Sequence, residues 1–532
     1  MIGRKIAFAV SASWLSQVIR IGLNLLILPI MFHAMNPEEL GLWLVLGQST
    51  IFLSILMEAG LTPTITRRIA FVAGRSLSGP DRPLDEKSRR DLSDMLASGR
   101  IAYRFVSIGV FAVTFGLGSL YLWNLELRQV SPTTAWIAWI LLCLGYATMA
   151  WSGLWTALAT GLGYVAAGTI ASTAVGIATL LAQMVVVLAG GGLLWLAIVS
   201  ALGGVVVRLS LRLYVQRRQP HLFSVPGRWD GALMRGMMAP AIRSWLTAVG
   251  FAVLFKTDQY FIALYVDTAQ VPAYYAIYTL LHNLAILALA LGQTSSVYVS
   301  QLWHSGTMEE IHEIVLRSLR ITLILMVSGV ATLLVVGQDL IGVWVGPDHF
   351  AGFPVLTALG VMFVLCVQQN AILTFARATE NEIYAVPFLL AGGLALFLSW
   401  KLVPHLGLLG AALATLLAQL LTTNWIVLRD GLRRLRVSIA TYGRTCLLPL
   451  LPVSLVTYFA TMTVAGGSLL PSALDRLLAG AAVGVSVCLA SLWLFGLSPG
   501  NRSQIAGVLR AALRRRRHAG RSQAEPPPIP PG

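Results

Sequence analysis

Residues 6–33 read IAFAVSASWLSQVIRIGLNLLILPIMFH, an apolar run in which Arg20 is the one charged residue. A helix needs about 20 mostly apolar residues to cross a bilayer, so this run is long enough to span it. Arg4 and Lys5 precede it, and it is about twice as long as the apolar part of a secretory signal peptide. We therefore expect the first helix to stay in the membrane.

The rest of the 532 residues follows the same pattern, because 57% are hydrophobic and only 11% are charged. Soluble domains carry roughly a quarter charged residues, so the composition excludes a soluble protein. Fourteen stretches have the length and composition of a span: 6–33, 40–62, 101–122, 133–157, 169–190, 193–215, 238–264, 272–298, 317–337, 351–376, 382–400, 405–428, 444–464 and 474–496. They predict an all-α polytopic membrane protein with about 14 transmembrane helices.

The chemistry-bearing motifs of enzymes are not found in this sequence. Its 4 cysteines lie inside apolar stretches without metal-ligand spacing, and no GxxxxGK[ST] motif is present. The predicted outer loops are short, and the largest loop, residues 63–100, is predicted to be cytoplasmic. We expect no metal, no cofactor and no catalytic centre, which disfavours a membrane glycosyltransferase or polymerase.

The positive charges are placed asymmetrically. With a cytoplasmic N-terminus and an even number of spans, 32 of the 38 Lys and Arg residues fall on the cytoplasmic side and three, Arg128, Lys401 and Arg476, fall outside. The net charge of +16 is thus explained by topology, and we expect no nucleic-acid partner. The cluster Arg514–Arg517 in the cytoplasmic tail would contact anionic lipids or serve only as a solvated topology anchor.

A faint internal repeat predicts two lobes. Ser13-Trp14-Leu15 recurs as Ser244-Trp245-Leu246, and six spans per lobe would give two pseudo-symmetric lobes around a central cavity. The predicted organisation is an N-terminal lobe, a cytoplasmic linker, a C-terminal lobe, two extra spans and a basic tail: 1–216, 217–236, 237–430, 431–497 and 498–532.

The first helix carries polar residues on one face. Gln17, Arg20 and Asn24 lie at helical spacing, and Arg20 is near the middle of the span. An intramembrane charge is expensive and usually faces a cavity or a partner. Arg20 therefore faces a substrate cavity or forms a structural ion pair, for instance with Glu58, and the two interpretations are compatible.

The seventh helix carries Arg243, Lys256 and Asp258. Arg243 shares a face with Thr247, and Asp258 lies about 60° from that face at 100° per residue. Lys256 points away from it, near the outer end, so it is functional or extends to the interface.

The eighth helix places Tyr275, Tyr278 and His282 on one face. Aromatic rings can stack on sugar rings, although Tyr275 would also suit the interfacial aromatic belt. His282 would relay protons or form an interhelical hydrogen bond.

The order and spacing of several segments, across residues 5–495, resemble the polysaccharide and O-antigen flippases of the multidrug/oligosaccharidyl-lipid/polysaccharide exporter superfamily. The segments are a Gln-bearing first helix ending near Pro29, Gly41-Leu42-Trp43, Glu58-Ala59-Gly60-Leu61 running into Thr66-Arg67-Arg68-Ile69-Ala70, Asp258 followed by Tyr274-Tyr275, and Gly407–Ala414. The resemblance implies two six-helix lobes plus two helices, and alternating access that moves undecaprenyl-pyrophosphate-linked glycans outward across the bacterial cytoplasmic (inner) membrane. It also implies that spans 444–464 and 474–496 line a groove for the lipid tail.

The expected substrate is strongly anionic, and arginine suits paired phosphate oxygens. The candidate substrate-binding residues are Gln17, Arg20, Asn24, Arg243, Lys256, Tyr275 and Tyr278, and the candidate ion-coupling residues are Glu58, Asp258 and His282. Anionic lipids, a polysaccharide polymerase and other assembly proteins are further candidate partners. The rival functions are a cation-coupled multidrug exporter and a lipid II flippase of the same fold.

Overall fold

The computed structural model describes most of the chain between residues 19 and 496. The described residues are 19, 22–58, 61–62, 65–66, 68–69, 72, 85–162, 164–223, 227–305, 308–377, 384–466, 470 and 472–496. Among them no β-strand occurs and every regular element is a helix. The interior of a bilayer offers no hydrogen-bond partners to a backbone, and a helix satisfies its backbone N–H and C=O groups internally.

The helices follow the predicted spans. Each of the fourteen predicted spans contains a described helical segment, and ten described stretches are long and apolar enough to cross a membrane. The chain is therefore an all-α polytopic membrane protein. Its main helices are α1 (Gly22–Ala34), α2 (Pro37–Glu58), α3 (Glu86–Trp123), α4 (Pro132–Gly161), α5 (Val165–Leu188), α6 (Leu193–Arg218), α7 (Gly231–Lys256), α8 (Asp258–Tyr265), α9 (Val271–Ser305), α10 (Met308–Trp344), α11 (Phe353–Arg377), α12 (Ala385–Leu421), α13 (Thr423–Arg434), α14 (Leu450–Ala465) and α15 (Ala473–Ser491).

Local sequence sets several helix ends. Ser131 precedes α4, and its hydroxyl accepts a hydrogen bond from the backbone N–H of Thr134 at 3.2 Å. Gly190 has φ +80° and separates α5 from α6, as the Gly190–Gly192 run predicted. Gly407 has φ +58° and breaks α12 near the start of the predicted span 405–428, three residues after Pro404.

Helix α3 begins fifteen residues before the predicted span 101–122, so part of the predicted loop 63–100 is helical. Asp85 caps the helix by accepting a hydrogen bond from the backbone N–H of Ser88. Leu92 and Leu96 are buried at a spacing of one turn, although charged residues surround them in the sequence. This extension binds the linker, because the Ser93 hydroxyl donates to the carbonyl of Leu222 at 3.2 Å.

The chain divides into two compact units. The first comprises Met1–Asn283, Gln338–Gln369 and Glu380–Asp430, and within it α4 packs on α3 and α6 while α7 packs on α12. Small residues allow these close helix crossings: a Cβ atom on Gly145 would lie 2.7 Å from the Cα atom of Ala201 in α6.

The second unit comprises Leu284–Gly337, Asn370–Thr379 and Gly431–Gly532. Within it α14 packs on α15, and α15 approaches α10 closely at Gly484, where any Cβ atom would overlap the side chain of Thr332.

Two glutamates at the start of α2 accept hydrogen bonds from neighbouring segments of the first unit. The carboxylate of Glu38 accepts hydrogen bonds from the backbone N–H groups of Arg128 and Gln129, each at 2.7 Å. Glu39 accepts one from the backbone N–H of Leu193, the first residue of α6. A carboxylate at a helix N-terminus satisfies a free N–H group and complements the helix dipole.

Candidate functional site

The candidate site is built around a break in the helix that carries Lys256 and Asp258. Helix α7 ends at Lys256, α8 begins at Asp258, and Thr257 lies between them with φ −92° and ψ −15°. The Thr257 hydroxyl donates to the carbonyl of Val253 at 2.8 Å, a back-bond that often bends helices. The break places an ammonium and a carboxylate group inside the first unit.

Asp258 is buried, with 2% of its surface exposed, and its carboxylate is held by two hydroxyl groups. The hydroxyl of Tyr274, in α9, donates to one oxygen at 2.6 Å. The hydroxyl of Thr415, in α12, donates to the other at 2.6 Å. Hydrogen bonds to an ionised acceptor are the strong ones, so the carboxylate ties three helices together.

Lys256 lies against an aromatic face. Its Nζ atom is 4.6 Å from the centroid of the Tyr278 ring, and the Tyr278 hydroxyl donates to the carbonyl of Phe255 at 3.0 Å. A cation over an aromatic ring is attracted by about 2 kcal/mol or more where water is excluded. Lys256 is therefore directed at Tyr278.

The aromatic face continues along α9. The ring of His282 stacks on that of Tyr278 with centroids 5.8 Å apart, and Phe363 of α11 packs against Tyr278 at 5.1 Å and His282 at 6.2 Å. Tyr278 and His282 thus share one face, as their spacing predicted, and Tyr275 is half-buried on the same helix.

A second polar cluster joins α11 to α12 and α13. The Gln369 side-chain oxygen accepts hydrogen bonds from the Gln419 amide at 3.2 Å and the Thr423 hydroxyl at 3.3 Å. All three side chains are at most 1% exposed. The Gln369 amide nitrogen and the Gln419 side-chain oxygen are buried without a hydrogen-bond partner, so this cluster retains hydrogen-bonding capacity.

Several predicted site residues are only partly placed. Gln17 and Arg20 lie outside the described residues, and Glu58 and Arg243 are described only as helical positions in α2 and α7. Asn24 is exposed on α1. The structure therefore brings together Lys256, Tyr278 and His282 of the seventh and eighth spans, and the predicted roles of Arg243 and of the first span stay predictions.

Sequence reasoning missed three members of the site: Tyr274, Thr415 and Phe363. Tyr274 is adjacent to the predicted Tyr275, but it lies on the side of α9 that faces Asp258. The available signal was the four-residue spacing of Tyr274 and Tyr278, whose rings stack at 6.5 Å. Thr415 lies in a run of alanines and leucines and gave no signal.

No family model matches the chain, and no curated protein sequence matches it. Solved structures do match. The lipid II flippase MurJ in an inward closed conformation aligns with a TM-score of 0.65 and 14% identity, covering 92% of this chain and 98% of the flippase.

Two further matches are transporters of the MOP superfamily. A multidrug resistance MATE family transporter in an inward-facing conformation has a TM-score of 0.61 and 12% identity, covering 82% of this chain and 99% of its own. A transporter from Pyrococcus furiosus, described as having a binding pocket of reverse polarity, has a TM-score of 0.55 and 14% identity, covering 80% of this chain and 95% of its own. The chain therefore has the fold of the multidrug/oligosaccharidyl-lipid/polysaccharide exporter superfamily of transporters.

Proposed function

We propose that this protein is a flippase that moves an undecaprenyl-pyrophosphate-linked oligosaccharide from the inner to the outer leaflet of the bacterial cytoplasmic membrane. It works by alternating access and supplies surface polysaccharide assembly. Its structural relatives are transporters, which accords with a protein that moves its substrate without altering it.

The observation that carries the proposal is the extent of the structural likeness. The multidrug transporter covers 82% of this chain with nearly its whole length, whereas the lipid II flippase covers 92%. The difference, about a tenth of the chain, is the size of a pair of membrane helices. A flippase of lipid-linked glycan accounts for that extra length better than a multidrug exporter does.

Lys256 supports an anionic substrate. Its ammonium group lies on the ring of Tyr278, and among the described residues it forms no ion pair with Asp258 or any other carboxylate. A pyrophosphate would complement this charge through charge-assisted hydrogen bonds. Arg20 and Arg243 are proposed to contribute further cations, with Gln17 and Asn24 as neutral hydrogen-bonding groups.

The aromatic rings beside Lys256 support the sugar part of the substrate. His282 stacks on Tyr278 and Phe363 meets Tyr278 edge-on, so the three rings form one aromatic surface. Tyr275 lies half-buried on the same helix as Tyr278 and His282. Aromatic rings present large, rigid apolar faces on which a sugar ring can lie.

Asp258 is the proposed coupling residue, together with Glu58 and His282. Its carboxylate accepts hydrogen bonds from Tyr274 and Thr415, so binding a proton or a cation there would alter the contact between three helices. A change in helix contacts that depends on occupancy is what resetting of an alternating-access carrier requires.

An apolar groove in the second unit supports a lipid tail. It has a volume of about 500 Å³ and lies beside the start of α14. Its lining residues are Val327, Gly443, Leu447, Leu448, Leu450, Leu451 and Ser454.

The proposed orientation has both termini in the cytoplasm.

Flipping by the reconstituted protein tests the proposal. Liposomes would carry a fluorescent undecaprenyl-pyrophosphate-linked glycan, and a membrane-impermeant quencher would report its arrival in the accessible leaflet. We expect Lys256→Gln to slow flipping at least about tenfold, since a lost contact to a charged group is worth roughly 1.5 kcal/mol or more. Lys256→Arg should retain part of the rate.

Lys401→Gln is the matched control. Lys401 also lies on an aromatic ring, 3.9 Å from the centroid of Trp400, but it is exposed. Normal flipping by this variant would show that the effect belongs to the site. Transport of a cationic dye without flipping of the glycan would favour the multidrug exporter, and faster flipping of lipid II would favour that substrate.

A further inference from the structure

Three helices of the first unit each present a pair of side chains one turn apart at the same end of the bundle. Together the pairs form an arginine–tryptophan ladder, which consists of Arg100 and Arg104 of α3, Trp151 and Trp155 of α4, and Arg208 and Arg212 of α6. The site around Asp258 uses none of these residues.

The first rung of the ladder is centred on Trp151. The guanidinium carbon of Arg208 lies 3.4 Å from the centroid of its ring, and that of Arg104 lies 5.9 Å from it. One indole therefore holds two guanidinium groups from two different helices.

The second rung is centred on Trp155. The guanidinium carbons of Arg100 and Arg212 each lie 5.9 Å from the centroid of this ring. Phe223 stacks on the same indole at 6.1 Å and also lies 5.9 Å from Arg100. The two rungs are separated by about 6 Å along the helices, the rise of four residues.

The ladder concentrates four positive charges on neighbouring helices. None of the four arginines forms an ion pair with a carboxylate in the described part of the chain. Arg212 lies close enough to Arg100 and Arg208 for their charges to repel each other. Stacking on an indole fixes the plane of a guanidinium group and leaves its N–H edges available for paired oxygens.

The helix face that carries Arg100 and Arg104 continues as an exposed apolar stripe. Ile108, one turn beyond Arg104, is 58% exposed, and Phe105, which adjoins Arg104, is 71% exposed. On α6, Leu209 and Leu213 are also exposed, next to Arg208 and Arg212. Charged groups at the end of an exposed apolar surface match the headgroup and acyl chains of a lipid.

We propose that the arginine–tryptophan ladder binds the headgroup of an anionic phospholipid that carries two phosphates, with its acyl chains along the exposed stripe of α3. Each rung offers two guanidinium groups to one phosphate. Basic surfaces between transmembrane helices at the cytoplasmic side bind such headgroups, and the distribution of positive charges assigns this end of the helices to the cytoplasm. The site does not depend on the substrate proposed above.

Native mass spectrometry of the purified full-length protein in detergent tests the proposal. The probes are tetraoleoyl cardiolipin, with two phosphates, dioleoyl phosphatidylglycerol, with one, and dioleoyl phosphatidylcholine, with no net charge. We expect cardiolipin to bind most tightly and the double variant Arg208→Gln/Arg212→Gln to bind it about tenfold or more weakly. Arg208→Lys/Arg212→Lys should bind with intermediate affinity, since lysine keeps the charge but not the planar fork.

The matched control is Lys87→Gln/Arg90→Gln. Like the glutamine variant of the ladder it removes two positive charges, but it removes them from the start of α3, outside the ladder. It should leave cardiolipin binding unchanged. If the glutamine variant of the ladder misfolds, the lysine variant carries the test. Equal cardiolipin binding by the wild type and by the ladder variants that fold would overturn the proposal. So would inorganic pyrophosphate displacing cardiolipin at equal concentration, because the site would then recognise a free anion and not a lipid.

Discussion

At the scale of single residues, the buried carboxylate of Asp258 requires hydrogen-bond donors from the protein. A carboxylate removed from water must be compensated by donors, and Tyr274 and Thr415 provide them from two other helices. These contacts give Asp258 a structural role that is independent of any role in coupling. The two roles can be separated by removing a donor while the charge is kept.

Tyr274→Phe removes one donor and leaves the ring. We expect it to lower the free energy of unfolding by about 1.5–3 kcal/mol, the range for a hydrogen bond to a charged group. Unfolding by sodium dodecyl sulfate in mixed micelles, followed by circular dichroism, measures the change.

Tyr265→Phe is the control for this variant, because Tyr265 is 41% exposed at the end of α8. A surface change of this kind stays within about 0.5 kcal/mol. An equal effect of the two variants would show that the bond from Tyr274 to Asp258 contributes nothing special.

At the scale of elements, the crossing of α7 and α12 positions the site. Asp258 follows Gly250 by eight residues, and Thr415 lies in the part of α12 that follows the break at Gly407, so the crossing holds α7 against the first part of α12. Gly250 of α7 lies directly on the backbone of Phe388 in α12, and a Cβ atom would overlap the Phe388 carbonyl carbon. Backbone cannot move aside as a flexible side chain can.

Gly250→Ala should therefore separate the two helices. We expect a loss of about 1–3 kcal/mol in the free energy of unfolding, the usual cost of overpacking, together with reduced yield of folded protein. Folded yield by size-exclusion chromatography and the same unfolding titration measure it.

Gly393→Ala is the comparison variant in α12, where a Cβ atom would meet nothing within 4 Å. Alanine favours a helix over glycine, so this variant should be neutral or slightly more stable. A destabilisation as large as that of Gly250→Ala would contradict the role given to the crossing.

At the scale of the whole molecule, the distribution of positive charges predicts which ends of the helices face the cytoplasm. Arg90, near the start of α3, and Arg128, between α3 and α4, lie on opposite sides in that prediction. Both are exposed, and three of the four native cysteines are buried. The topology can therefore be measured with single added cysteines in a cysteine-free background.

In intact cells, a membrane-impermeant maleimide should label Arg128→Cys and should not label Arg90→Cys. After the membrane is permeabilised, both should be labelled. The reverse pattern in intact cells would overturn the orientation and place the arginine–tryptophan ladder at the outer leaflet.

The prediction from sequence was strong for spans and weak for contacts. The break at Gly190–Gly192 was predicted because glycine runs interrupt helices, and the face of Tyr278 and His282 followed from helical spacing. The early start of α3 was missed because the charged residues around Leu92 and Leu96 make this segment too polar to be predicted as part of a span. Tyr274 was missed although its four-residue spacing from Tyr278 was a signal, and Thr415 was missed because neither local composition nor periodicity distinguishes it from other residues of its span.

The sequence by itself determined that this protein crosses the membrane many times as helices. The hydrocarbon core of a bilayer accepts apolar segments whose backbone N–H and C=O groups are hydrogen-bonded within the segment. The tertiary structure alone decided which polar groups meet. Asp258 and Thr415 are separated by more than 150 residues, and they meet where α8 packs against α12. Packing brings together residues that are distant in sequence, and no periodicity along one helix records it.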